Sequence, residues 1–328
     1  MQNWQKQLRI DVIPELLASQ DKAIVYFTRR DLLDEKVEAI NSVWDLPEPQ
    51  QIIKKQQPDG SWEKAGKNND IYPPNHYALV ETVKQFRILV EKYGFTRDHP
   101  SIPKAAEFLF SFQTKEGDIR GFIGNQYATY YTGYVLSLLF IAGYKDDTRV
   151  EKGMQWLLSM RQDDGGWTIP MLTHKLDRET QNKLTSQFAE PLQPNRTKPF
   201  SHNWTDMALR AFIVHPVYRQ SKEAKAVGAL LKTHFFQPDV YTSYQSPKYW
   251  TRFAFWWPNL LTALESLRLL RFSKDDPDIK KGLDWFIDNQ QQDGLWKIES
   301  DKDINPKDTE DRLWLGMRIC RMLKKYYR

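Results

Sequence analysis

Three carboxylates in four residues, Asp308, Glu310 and Asp311, stand where the sequence predicts a helix to begin. Such a cluster could supply a general acid. A helix N-terminus favours the carboxylate and burial among like charges favours the acid, so a proton donor at Glu310, tuned by Asp308 and Asp311, requires burial. The same residues also read as ordinary helix-start chemistry, with Asp308 as N-cap and the others in the first turn. His202, between Ser201 and Asn203, and His76, beside Tyr77, are candidates for ligand contact or for structure. Tyr130, Tyr131, Trp204, Phe253, Trp256 and Trp257, with Arg252, could line an apolar cavity or fill a core. The single cysteine, Cys320, excludes an intramolecular disulfide and a multi-cysteine metal site. No metal or other cofactor is implied.

The elements that must position these residues come from an internal repeat. QQPDGSW (56–62) and QQQDGLW (290–296) share the frame Gln-x-x-Asp-Gly-x-Trp. RQDDGGW (161–167) has arginine in the glutamine slot, and QTKEGDI (113–119) has Glu for Asp and Ile for Trp. Apolar residues at helical spacing precede the copies, such as Ile102, Ala105, Ala106, Leu109 and Phe110 before the second. The glycine is expected to end that helix in a left-handed conformation. A second, more apolar helix follows each copy, so the unit is a helical hairpin with an outer and an inner helix. Inner helices are expected over about 74–93, 126–142, 204–214, 258–272 and 308–326. If all run in the same sense, their N-termini gather at one mouth, where His76, Tyr130, Tyr131, His202, Trp204, Arg252, Phe253, Trp256, Trp257 and the 308–311 carboxylates would lie.

The Gln-x-x-Asp-Gly-x-Trp frame resembles the QW repeat of squalene and terpenoid cyclases, shared more loosely with protein prenyltransferase β subunits. The resemblance implies an all-α fold, a single α/α toroid of five to six hairpins with parallel inner helices around a central cavity. It also implies an isoprenoid ligand in an aromatic cavity and, for the class II cyclases, an isomerase that protonates an alkene with the middle acid of Asp-x-Asp-Asp. No strict copy of that motif exists here; Asp308-Thr309-Glu310-Asp311 is a relaxed version followed by Arg312-Leu313. The zinc site of the prenyltransferases finds no counterpart around Cys320.

At 328 residues with 41% hydrophobic content, the chain can bury one large core, and repeats spanning 56–296 favour one domain over 1–328. Residues 1–46 are expected to form opening helices, and 168–201 a long rim loop with four prolines. The charge of +5 admits an anionic ligand or a peripheral membrane contact, but no basic cluster dense enough for nucleic acid appears. The N-terminus, broken by charge and Pro14, does not read as a signal peptide, which points to the cytoplasm. Three functions fit: a terpenoid-cyclase-like enzyme, a carbohydrate-active toroid using Tyr241, Tyr244, Tyr249, Arg252, His202 and Asn203, or a non-catalytic binding toroid.

Overall fold

The computed structural model describes residues 2–66, 74–186, 189–241, 246–253, 257–298 and 307–328. They are all-α, built from helical hairpins, with Phe122–Asn125 (β1) as a short extended segment. The helices in chain order are α1 (Ile13–Leu17), α2 (Lys22–Phe27), α3 (Asn41–Trp44), α4 (Pro47–Ile53), α5 (Pro74–Arg87), α6 (Ser101–Phe110) and α7 (Thr129–Ile141). There follow α8 (Thr148–Ser159), α9 (Arg178–Leu184), α10 (His202–Val214), α11 (Lys222–Lys232), α12 (Leu260–Leu269), α13 (Pro277–Asp288) and α14 (Lys307–Tyr326). Among the described residues no helix is long and apolar enough to cross a membrane. The chain divides into two compact units. The central unit comprises 47–227 and 239–243, and the terminal unit 1–46, 228–238 and 244–328.

The repeated frame folds the same way in each unit. In three copies the indole N–H donates to a carbonyl ten residues earlier on the outer helix: Trp62 to Ile52, Trp167 to Leu157 and Trp296 to Phe286, each at 2.7 Å. All three indoles are buried, which satisfies their single polar group inside the core. The acidic residue of each full copy accepts from the backbone N–H two residues on, Asp59 from Ser61, Asp164 from Gly166 and Asp293 from Leu295. Glutamine bonds the glycine carbonyl: Gln56 to Gly60 at 3.0 Å, Gln113 to Gly117 at 2.8 Å and Gln290 to Gly294 at 2.8 Å. Where arginine holds the glutamine slot, Arg161 Nε makes the same bond to the Gly165 carbonyl at 2.7 Å.

The glycine does not cap a helix, as its expected role required. The outer helices end at Ile53, Phe110, Ser159 and Asp288, six or seven residues before it. It sits instead in a separate tight turn, in which the Gly60 N–H donates to Gln57 and the Gln57 N–H to Ser61, a pattern repeated around Gly117, Gly165 and Gly294. Left-handed φ values of 91°, 117°, 102° and 81° make glycine the fitting residue there. A second departure concerns 168–201, which is not a bare loop: it contains the 3-10 turn Pro170–Thr173 and α9. The fourth repeat, which lacks the frame, still has an indole clamp, Trp250 Nε1 donating to the Gln237 carbonyl at 3.0 Å.

Candidate functional site

The inner helices of the central unit are fixed to their turns by buried threonines. The backbone N–H of Trp62 donates to Thr82 Oγ1 at 3.0 Å, that of Ile119 to Thr132 Oγ1 at 3.1 Å, and that of Trp167 to Thr205 Oγ1 at 2.8 Å. These three threonines occupy equivalent places, so they set α5, α7 and α10 to a common register. Between α7 and α10 the backbones approach closely: a Cβ on Gly133 would lie 2.5 Å from the Ala208 Cα. One turn towards the N-terminus from that contact, the same two faces carry Tyr130 and Trp204, with ring centroids 4.4 Å apart.

From this pair an aromatic row runs outward. Tyr130 meets Tyr131 at 4.6 Å, and Tyr131 stacks on Phe122 at 3.9 Å with planes only 7° apart. His76, in the first turn of α5, holds the carbonyl of the neighbouring Gly121 through Nδ1 at 3.0 Å. Burial pushes the His76 imidazole below its ordinary range, against the Gly121 hydrogen bond, so the neutral ring is favoured. Phe122, Tyr130 and Trp204 are buried, whereas His76 and Tyr131 are partly exposed. First turns of three inner helices thus bring together His76, Tyr130, Tyr131 and Trp204.

His202 opens α10 rather than ending a loop, and it is buried against Asp239, Nδ1 to Oδ2 at 3.3 Å. The same carboxylate oxygen accepts from Ser201 Oγ at 2.9 Å and from the Asn203 N–H at 3.2 Å. Asp239 therefore satisfies the open N–H end of α10, which is a structural task for His202 and its neighbours. One turn deeper lies a buried polar band that the sequence reading missed. Arg210 bonds Asp206 at 3.3 Å and stands 5.1 Å from the Tyr134 ring, and the Tyr134 hydroxyl donates to Glu91 at 3.1 Å. Its signal was present in HNWTDMALRAFIV, where an Asp and an Arg four apart interrupt an apolar helix face.

In the terminal unit the remaining candidates serve differently. Phe253 is buried against Trp285 and Phe286 of α13, at 5.7 and 5.5 Å. Arg252 lies 5.6 Å from the Tyr249 ring, and the Trp257 carbonyl accepts from Asn259, the N-cap of α12. Trp256, Tyr244 and the side chain of Asp308 lie outside the described residues. Glu310 and Asp311 are exposed. The burial on which a proton-donor role for Glu310 depends is absent, because α14 begins at Lys307 and leaves Glu310 and Asp311 exposed. Cys320 is fully buried in α14, and burial pushes its thiol far up, which leaves no reactive thiolate.

Comparison with known proteins bears on this arrangement. Residues 81–190, which include α7 and much of the row, match the squalene-hopene cyclase C-terminal domain. The chain resembles the squalene and terpenoid cyclases. A probable squalene–hopene cyclase from Sinorhizobium fredii (strain NBRC 101917 / NGR234) is 30% identical over 135 residues, 37% of this chain and 21% of that protein. The match thus spans about a fifth of the curated relative's length. Among solved structures, a protein from Actinoplanes is 16% identical with a TM-score of 0.45, covering 88% of each chain. A variant of the type II terpene cyclase MstE from Scytonema, bound to its substrate geranylgeranyl dihydroxybenzoate, is 11% identical with a TM-score of 0.42, covering 88% of this chain and 85% of that one.

Proposed function

We propose that this cyclase-like chain binds an apolar, isoprenoid-type ligand against the aromatic row at the first turns of α5, α7 and α10. The observation that carries the reading is the continuous contact from Phe122 through Tyr131 and Tyr130 to Trp204, with Tyr131 left partly exposed within it. Stacked rings offer apolar area and electron-rich faces, which suit both a polyprenyl chain and a cation developing on it. We assign contact with the ligand to Tyr131 and His76, and support to Tyr130, Trp204 and Phe122.

Cyclisation is the finer form of this proposal. It requires an acid, and the buried carboxylates of the central unit are engaged as acceptors. Asp118 is held by Arg120, Asp206 by Arg210, and Asp239 by Ser201, His202 and Asn203. Binding is therefore the reading the site supports best. A carbohydrate-active site finds less support, since His202 and Asn203 are buried on Asp239 and the Tyr241 hydroxyl is given to the Pro199 carbonyl at 2.6 Å. We take 1–328 as one domain; limited proteolysis that yields two separately stable halves would end that view.

The test is equilibrium binding of radiolabelled geranylgeraniol and squalene to the full chain, followed by gas chromatography of the incubation for cyclic products. Saturable binding that Tyr131→Ala weakens supports the ligand reading. Cyclic products would add the isomerase activity, and absence of saturable binding by either probe would remove the proposal.

A further inference from the structure

We infer that the terminal unit holds a binding site for a phosphate-bearing anion, in a cavity of about 450 Å³ where Arg30, Arg321, Lys324, Lys325 and Arg328 meet Asp31 and Asp34. The inference does not rest on the isoprenoid reading, since every residue in it lies in the terminal unit and none belongs to the aromatic row. Five cations face two carboxylates, a surplus of three positive charges in one concavity.

Local structure brings these groups together. Arg30 and Asp31 lie on the π-helical turn Thr28–Leu32, and Asp34 follows with a left-handed φ of 57°. Arg321, Lys324 and Lys325 fall at i, i+3 and i+4 on α14, hence on one face of its last turns. Lys324 anchors the two segments, donating to the Asp31 and Leu32 carbonyls at 3.0 Å each. The guanidinium groups of Arg30 and Arg321 stand 4.7 and 4.8 Å from the Phe27 ring, so a buried aromatic fixes where both charges sit.

The carboxylates are already used. Asp31 takes Arg30 at 2.6 Å and pairs with Arg321 as well, and Asp34 takes Lys324 at 2.7 Å. Donors are left over. Arg321 Nε is buried and makes no hydrogen bond among the described residues. Among the described residues Lys325 is exposed and pairs with no carboxylate, and Arg328 is three-quarters exposed and 3.7 Å from Asp34. A helix C-terminus attracts cations, which accounts for Lys324 and Lys325 in the last turn of α14. It does not account for Arg30, which comes from another segment. The exposed Lys325 ammonium and Arg328 guanidinium are the charged donors from which an oxyanion in the cavity can accept. Guanidinium forks with neighbouring ammonium groups are the pattern that takes phosphate, and the volume suits a small phosphorylated molecule or a lipid phosphate headgroup.

The experiment is isothermal titration of the full chain with inorganic diphosphate at low salt. Alongside it, co-sedimentation uses phosphatidylcholine vesicles with and without phosphatidic acid. Two variants are compared with the parent: Arg321→Met, and the exposed pair Lys325→Gln with Arg328→Gln, which keeps the anchoring Lys324 intact. We expect diphosphate binding, weakened roughly 10- to 100-fold in the exposed double variant, the range that loss of charge-assisted hydrogen bonds gives. Arg321→Met weakens binding further if it folds; the double variant decides if it does not. Binding confined to phosphatidic acid vesicles and lost in the double variant supports a headgroup as the source of the phosphate. No binding of either probe, or binding that the double variant leaves unchanged, overturns the site.

Discussion

The turn around Gly60 and the turn around Gly294 are built from the same internal bonds yet grip different things. In the central unit Gln56 reaches past its own turn to the Ser101 carbonyl at 2.9 Å, at the start of the next outer helix, α6. In the terminal unit Gln290 reaches the Ile10 carbonyl at 2.8 Å and accepts from the Arg9 and Ile10 N–H groups at 2.9 and 3.1 Å. The partner in the second case is a bent stretch ahead of α1, almost the whole chain length away in sequence. The clamp is therefore local chemistry that takes whichever backbone comes next, and in the terminal unit it joins the two ends of the chain. The glycines differ as well. A Cβ at Gly60 would lie 2.2 Å from the Lys104 carbonyl oxygen, whereas at Gly294 its nearest neighbour would be Ile10 Cγ2 at 3.4 Å.

The largest expected effect treats the two units alike. Trp167→Ala and Trp296→Ala should each lower unfolding free energy by about 3–5 kcal/mol, as truncations of buried aromatics do. Urea denaturation measures it, and a loss under about 1 kcal/mol in either variant would separate the units. The next prediction separates them by design. Gly60→Ala meets a backbone carbonyl as well as an unfavourable φ and should cost about 3 kcal/mol. Gly294→Ala bears only the φ penalty, about 1 kcal/mol. Equal costs would show that contact with the neighbouring helix is unimportant.

Gln290→Ala removes a side chain that bonds both ends of the chain and should cost about 1–3 kcal/mol. Hydrogen exchange at the Arg9 and Ile10 amides should accelerate in this variant and stay unchanged in Gln56→Ala, which loosens the central unit instead. The smallest effect concerns pH. Burial depresses the His76 pKa, so the unfolded chain takes up its proton first as pH falls. Stability should decline as pH drops through roughly 6.5, the unfolded histidine value, and His76→Gln should flatten that slope. A slope unchanged in His76→Gln would place the pH sensitivity elsewhere.

The hairpin order and the inner helices were legible in the sequence because apolar spacing and the repeated frame are local signals. The long outer-to-inner connection was read as irregular because its short helix, α9, carries no apolar stripe: RETQNKL is polar except for its last residue, Leu184, and buries none of its residues. The glycine's role was misplaced by a few residues, since a left-handed glycine after a helix looks alike whether it caps the helix or closes a later turn. At the candidate site, composition could suggest Tyr130, Tyr131 and Trp204 but could not show that the Gly133–Ala208 approach sets one against another. The carboxylates at 310 and 311 illustrate the converse. A motif can be read from residue types, but burial depends on packing, and Glu310 and Asp311 face solvent.

The most direct test sets an aromatic from each unit against the other, with geranylgeraniol as the probe. Tyr131→Ala and Phe253→Ala are each measured for stability and for ligand affinity per folded molecule. The account predicts that Tyr131→Ala loses at least about tenfold in affinity with a modest loss of stability, while Phe253→Ala loses stability, about 3–5 kcal/mol, and keeps its affinity. Unchanged affinity in Tyr131→Ala, or a larger affinity loss in Phe253→Ala, would contradict the placement of the ligand on the central unit's aromatic row.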